Sequence, residues 1–181
     1  SCYNATTSGT GILVKNDDHY ATVTPGATDT WIARFSGKLG NSLQVSVCPA
    51  DATAFNAWAY KGSFDSLPGT SSYSTANAGD TADEMHIAVI DQDGAITGTA
   101  GTILETFAFV SQASDAKADD GTDNFYKNVI NNQSAWIRWG AHTSTLTDAG
   151  NAVNAAAGSA FVTGSTAITV SLTGGVSDNT P

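Results

Sequence analysis

Three histidines, His19, His86 and His142, are the side chains of this 181-residue chain best suited to act as a base. A nucleophilic serine site needs one of them held against a serine hydroxyl and oriented by a carboxylate. No serine lies in a G-x-S-x-G elbow. His86 alternates within the apolar run Met85–Ile90 and faces away from Met85 and Ile87, so it reads as a partly buried structural residue. His19 follows Asp17 and Asp18 in a polar stretch and His142 sits among Ala, Thr and Ser, so both read as solvated.

The acidic residues invite a calcium test. An EF-hand loop needs oxygen ligands at alternating positions and glycine at the sixth. The run Asp115-Ala116-Lys117-Ala118-Asp119-Asp120-Gly121 puts lysine at a ligand position and Asp120 at the glycine position, so it fails. Asp119, Asp120 and Asp123 could form an irregular site, but a solvated turn and helix cap is the simpler reading. Asp91 and Asp93 flank a turn and read the same way. Paired carboxylates for glycoside hydrolysis cannot be recognised from one sequence. Phe55, Trp58, Tyr60, Phe64 and Tyr73 could stack on sugars, or fill a satellite core or an interface. Asn4-Ala5-Thr6 and Asn132-Gln133-Ser134 match the short glycosylation pattern. Cys2 and Cys48 fit no zinc or redox spacing; they could form one disulfide or remain thiols. No catalytic, cofactor-binding or metal-ligating residue is therefore assigned, and no phosphate-cradling glycine loop is present.

Composition narrows the function classes. Net charge is −10 with only 7 Lys and Arg, so no segment could neutralise a run of phosphates and direct nucleic-acid binding is not expected. An anionic membrane surface is disfavoured on the same ground, and no apolar run approaches a membrane span. Charged residues make up 13%, well under the usual ~25%. Hydroxyl and amide side chains take their place, as in proteins that pack into large assemblies and in β-rich modules. The start, Ser1-Cys2-Tyr3-Asn4, lacks the features of a signal peptide and an initiator Met, so an internal fragment, a processed form or a trimmed chain is expected.

The elements follow from pattern. Residues 1–30 read as loop-rich, with one apolar run at Ile12–Val14. An α/β core spans 31–139. Trp31–Phe35 opens it, and a turn falls at Gly40-Asn41. Leu43, Val45 and Val47 alternate with Gln44, Ser46 and Cys48, which predicts a half-buried strand ending at Pro49. Residues 50–82 read as a long excursion with at most one short helix near 51–57. Met85–Ile90 predicts a strand, closed by the turn Asp91-Gln92-Asp93-Gly94. The run Ile103–Val110 is apolar on both sides apart from Glu105 and Thr106 and predicts a buried strand. Asp123 as N-cap, with the i,i+4 pairs Phe125/Val129 and Tyr126/Ile130, predicts a helix over 124–133. Trp136–Trp139 reads as a short strand. Residues 140–181 read as a loop to about 160, a last strand over 166–172, and a linker-like end. The expected class is α/β (α+β): one domain segment, 1–181, with a mixed β-sheet, a few short helices and long loops.

One region goes further. DEMHIAVIDQDGAITGTAGTILETFAFVSQASDAKADDGTDNFYKNVINNQSAWI, residues 83–137, resembles the signature region of the contractile tail sheath proteins of long-tailed (myovirus-type) bacteriophages. The shared elements are the Asp-x-x-Gly turn at Val89–Gly94 and the "ITG-x-x-G" segment at Ile96–Gly101. They continue with "LE-x-F" at Leu104–Phe107, "VS-x-ASDAK" at Val110–Lys117, the Asp120-Gly121 turn and a "YYKDVIN-x-xS"-like helix at Phe125–Ser134. Upstream, Ala33–Leu43 is similar to the family's "AR-x-PG-x-xGNSL", with Ser36 where proline is usual, and Tyr60, Phe64 and Pro68–Ser71 resemble the related excursion.

The resemblance implies a structural subunit. Sheath subunits form stacked hexameric rings, a helical sheath around the tail tube protein, which contracts on a baseplate signal and drives the tube through the host envelope. It implies a location in the virion tail after assembly in the host bacterial cytoplasm, no enzyme activity and no cofactor. The family domain is often labelled subtilisin-like, but no credible triad stands in this sequence. Family members are longer, so a middle, outer segment of a larger multi-domain protein is expected, without the inner domain and terminal arms. Residues 55–73 and 140–160 are expected to form exposed, variable surface. Two other classes compete. A carbohydrate- or receptor-binding module predicts an all-β sandwich with 124–133 non-helical. A hydrolase predicts a deep pocket containing His86 or paired acids.

Overall fold

The computed structural model describes residues 2–78, 82–141, 161 and 165–177. Two antiparallel sheets carry the chain. The larger has the order β5-β4-β3-β7, built from β3 (Leu43–Pro49), β4 (Glu84–Asp91), β5 (Thr102–Ser111) and β7 (Ile168–Ser171). The smaller has the order β1-β2-β6, from β1 (Asn4–Thr6), β2 (Trp31–Ser36) and β6 (Ile137–Trp139). Four short α-helices are described: α1 (Asp17–Tyr20), α2 (Ala52–Ala57), α3 (Ser72–Ala78) and α4 (Tyr126–Gln133). The expected α/β class is observed.

The alternation in β3 sorts its side chains to two faces, and both are buried. Leu43, Val45 and Val47, with Met85, Ile87 and Val89 of β4, meet Trp31, Ala33, Ile137 and the α4 residues Phe125, Tyr126, Val129 and Ile130 in the main core. The opposite face carries Cys48, Ala88 and Ile90, covered by Ala54 and Trp58 with Phe55, Tyr60 and Phe64 beside them. The expected half-buried strand is thus buried on both sides. The second face is closed by residues 52–64, far from β4 in sequence, so local alternation could not register them. Ser46 is tolerated inside because the Trp58 indole N–H donates to its hydroxyl at 2.7 Å, which satisfies two polar groups at once.

Residues 55–73 are largely exposed, as expected, but their aromatic side chains turn inward. Trp58 is buried and its ring lies 5.0 Å from that of Phe64. The excursion also holds more helix than expected: besides α2, a 3-10 turn (Lys61–Ser63) and α3. Another 3-10 turn, Lys38–Ser42, occupies the Gly40-Asn41 position.

β5 is a second correction. Among the described residues it pairs only with β4 and stands at the sheet edge, so Thr102–Glu105 are half-exposed; Phe107 and Val110 alone of its apolar residues are buried. A two-sided apolar run is the sequence pattern of a central strand, but among the described residues no strand pairs with its other side. Helix α4 begins later than expected. Phe125 occupies the N-cap without a side-chain bond, and Asp123 instead accepts the Phe125 N–H at 3.0 Å and the Asn128 amide at 2.7 Å. Residues 142–160 lie outside the described residues.

Candidate functional site

The three histidines do not converge on a nucleophile. His86 is fully buried on β4. Its Nε2 meets the Ser66 carbonyl at 2.8 Å, so that nitrogen carries the proton. Its Nδ1 accepts the Phe109 N–H at 3.0 Å. The ring stacks on Phe64 at 4.4 Å and meets the edge of Phe109 at 4.6 Å. Burial pushes its pKa down, only partly opposed by the Ser66 bond. Both nitrogens are committed to backbone, so His86 is a structural pin. His19 is half-buried in α1, where its Nδ1 accepts the Lys15 N–H at 3.2 Å; His142 lies outside the described residues.

Asp119 and Asp120 lie in an exposed turn, where Asp120 accepts the Thr122 N–H at 2.9 Å and hydroxyl at 2.6 Å. Asp123 serves the start of α4 as above. Among the described residues, no three His, Cys, Asp or Glu side chains are grouped so as to hold a metal ion. Cys2 and Cys48 are not disulfide-linked, and burial pushes the Cys48 thiol up to about 12. Asn4 is no glycosylation acceptor: it is buried, donating to the Ala33 carbonyl and accepting the Val14 N–H. Asn132 is exposed on α4.

Asp91 departs furthest from expectation. It is fully buried, whereas the sequence suggested a solvated turn. Oδ1 accepts the Ser42 hydroxyl at 2.6 Å; Oδ2 accepts the Ile96 N–H at 3.1 Å, the Thr97 N–H at 2.7 Å and the Thr97 hydroxyl at 2.8 Å. Burial by itself raises its pKa, but these bonds outweigh burial and hold it down to about 2. Asp91 thus ties the Lys38–Ser42 turn to the segment after β4.

Two further acids of the 83–137 region work alike. Asp83, buried just before β4, accepts the Ser71 N–H and hydroxyl, both at 2.8 Å, and the Ser111 hydroxyl. It joins the start of α3 to the end of β5. Glu105 on β5 accepts the Ser134 hydroxyl and the Ala135 N–H, both at 2.6 Å, just past the end of α4. Each carboxylate is consumed by donors from a distant segment, which suits fastening rather than proton transfer.

A fourth cluster joins two adjacent strands of the small sheet, β2 and β6, to α1. The chain's two arginines, Arg34 and Arg138, flank Asp17, at 3.7 Å and in a closer ion pair respectively. Arg138 lies over the Tyr20 ring at 5.2 Å, and Arg34 donates to the Asn131 carbonyl at 2.6 Å. The hydrogen bond from Arg138, then its charge, hold Asp17 below the usual carboxylate range. Sequence reasoning missed this cluster, and missed Asp83 and Glu105 as fasteners. The available signal was the rarity of arginine in so acidic a chain.

Across 165 residues, the chain is 27% identical to a protein of Salmonella phage ViI named "Tail sheath protein". The chain is similar to a phage tail sheath protein. The match covers 88% of this chain but 24% of the relative, so the chain spans about a quarter of the length of the curated relative it matches. No family model matches it. The sheath resemblance read from residues 83–137 and this relative point to the same family. Three of the four fasteners of the sheath-like unit, Asp83, Asp91 and Glu105, lie inside that region.

Proposed function

We propose that this chain is part of a structural subunit of a contractile phage tail sheath. The carrying observation is the similarity to a tail sheath protein over 88% of the chain. In this reading the complete subunits assemble as stacked hexameric rings around the tail tube. On a baseplate signal they shift into a shorter, wider array and drive the tube through the host envelope. The subunit assembles in the host cytoplasm and resides in the virion tail. It catalyses no reaction; the energy resides in two alternative packings of one set of subunits.

The fastening acids support a mechanical role. A unit that moves as a body within a lattice must keep its own elements registered. Asp83, Asp91 and Glu105 each bond segments that a sliding neighbour would otherwise pull apart. The binding-module alternative expected residues 124–133 to be non-helical and its aromatics available; Tyr126–Gln133 is helical and Trp58 is buried. The hydrolase alternative expected His86 in a deep pocket, and its ring is sealed among aromatics.

Electron microscopy of the polypeptide at its natural full length tests the proposal. Tubes with a regular helical array are expected. Discrete particles under sheath-forming conditions would overturn it and make a glycan screen the next experiment.

A further inference from the structure

Five large apolar side chains are exposed among the described residues: Tyr3, Phe35, Leu39, Leu67 and Val176. All but Leu67 fall in one neighbourhood. Phe35, 64% exposed, and Leu39, 51% exposed, line an apolar groove that includes Ile96 and Trp136. The backbones of Tyr3 and Val176 run beside this groove. Their backbones pair at 3.0 and 3.1 Å, and the Gly37 N–H, between Phe35 and Leu39, donates to the Tyr3 carbonyl at 2.9 Å. The surface is preorganised, since the Lys38 N–H is also held by the Ser177 hydroxyl at 3.1 Å. An exposed apolar groove of this kind marks a contact surface.

The Tyr3–Val176 pairing sets residues 3 and 176 side by side at the edge of this patch. The sheath relative extends well beyond the match, which covers 24% of it. In a polypeptide of that length, chain continuing past residue 3 or residue 176 would start from this edge. An apolar surface on that chain is tethered at the patch, so its association is intramolecular and needs no high protein concentration.

We propose that the Phe35/Leu39 patch, flanked by Tyr3 and Val176, is the seat on which the remainder of a sheath-length polypeptide packs, through apolar side chains of the same chain. The inference rests on the sheath reading for the length of that polypeptide.

The test uses the polypeptide at natural full length, dilute and unpolymerised, with Phe35→Cys, Leu39→Cys or, as an exposed control on the opposite face of the large sheet, Ser63→Cys. An uncharged maleimide labels the native protein, and peptide mapping separates each site from Cys2 and Cys48. Both 35 and 39 are exposed in the unit, so these variants fold. Labelling at 35 and 39 is expected to be at least about tenfold slower than at 63. That protection should not change on dilution, because the partner is tethered. Labelling as fast as at 63 would overturn the proposal. So would protection that disappears on dilution, which would assign the patch to a second copy. Helical tubes from a Phe35→Cys polypeptide that labels freely at that position would spare the sheath reading and sink the patch. Protection of the same position in a polypeptide that never forms tubes would do the reverse.

Discussion

The Asp91 carboxylate accepts the Ser42 hydroxyl at 2.6 Å across 49 residues of chain, inside a fully buried pocket. The bond joins the end of β4 to the 3-10 turn that precedes β3. It sets the register of the two central strands, in which Leu43 lies opposite Asp91. The other carboxylate oxygen gathers Ile96 and Thr97, so one side chain ties the start of β3 to the turn after β4 at the same end of the strand pair.

Acid unfolding should report this carboxylate. Its folded pKa, about 2, lies below the ordinary 3.8, so the unfolded chain binds the proton more readily. Its contribution to stability is complete above pH 3.8 and is lost as pH falls towards 2. Asp91→Asn should lower the thermal midpoint at neutral pH and flatten its decline through that window. An unchanged slope in scans from pH 5 to 2 would show that Asp91 is not a main acid sensor.

His86 titrates in the same direction, in a higher pH window. Its folded pKa is depressed by burial, so protonation favours the unfolded chain. Stability contributed by neutral His86 is present above the ordinary 6.5 and is lost as pH falls below it. His86→Phe preserves the ring packing but orphans the Ser66 carbonyl and the Phe109 N–H. A loss of about 1–3 kcal/mol is expected for each group that stays dry, with weaker pH dependence between 6.5 and 5, both measured by urea unfolding.

Glu105 and Ser134 should be coupled. Ser134→Ala removes one donor to Glu105 and also the acceptor for the Trp136 and Ile137 N–H groups. A double-mutant cycle of Glu105→Gln with Ser134→Ala should return an interaction of roughly 0.5–3 kcal/mol. A value near zero would mean that the end of α4 is held to β5 by packing alone.

Gly140 tests how closely the edge of the small sheet is built. A β-carbon there would stand 1.7 Å from the Asp29 carbonyl oxygen, while the Gly140 N–H donates to Thr30 at 2.8 Å. Gly140→Ala must push these backbones apart, at a cost of at least the ~1–3 kcal/mol typical of overpacking. Calorimetry should show that loss, and hydrogen exchange should show it concentrated at Gly140 and Ala141.

The sequence alone determined the features that depend on near neighbours. Alternation placed β3 and β4, because one residue in two must face the same way in an extended chain. The Phe125/Val129 and Tyr126/Ile130 spacing placed the buried side of α4, because residues four apart share a helix face. The ordered motifs of residues 83–137 carried the family resemblance. Only the tertiary structure decided what each face meets. β5 has the composition of a central strand but, among the described residues, stands at the sheet edge, and strand order is not encoded in a strand's own pattern. The aromatics of 55–64 look exposed until β3 and β4 present them with a second apolar face. Asp83, Asp91 and Glu105 sit beside turns or within strands like ordinary surface acids. They become fasteners because chain closure delivers Ser71, Ser111, Ser42 and Ser134 to them from 12 to 49 residues away. A hydrogen-bond partner at such separation depends on the packing of the intervening elements, and that packing was settled by burial across the whole core.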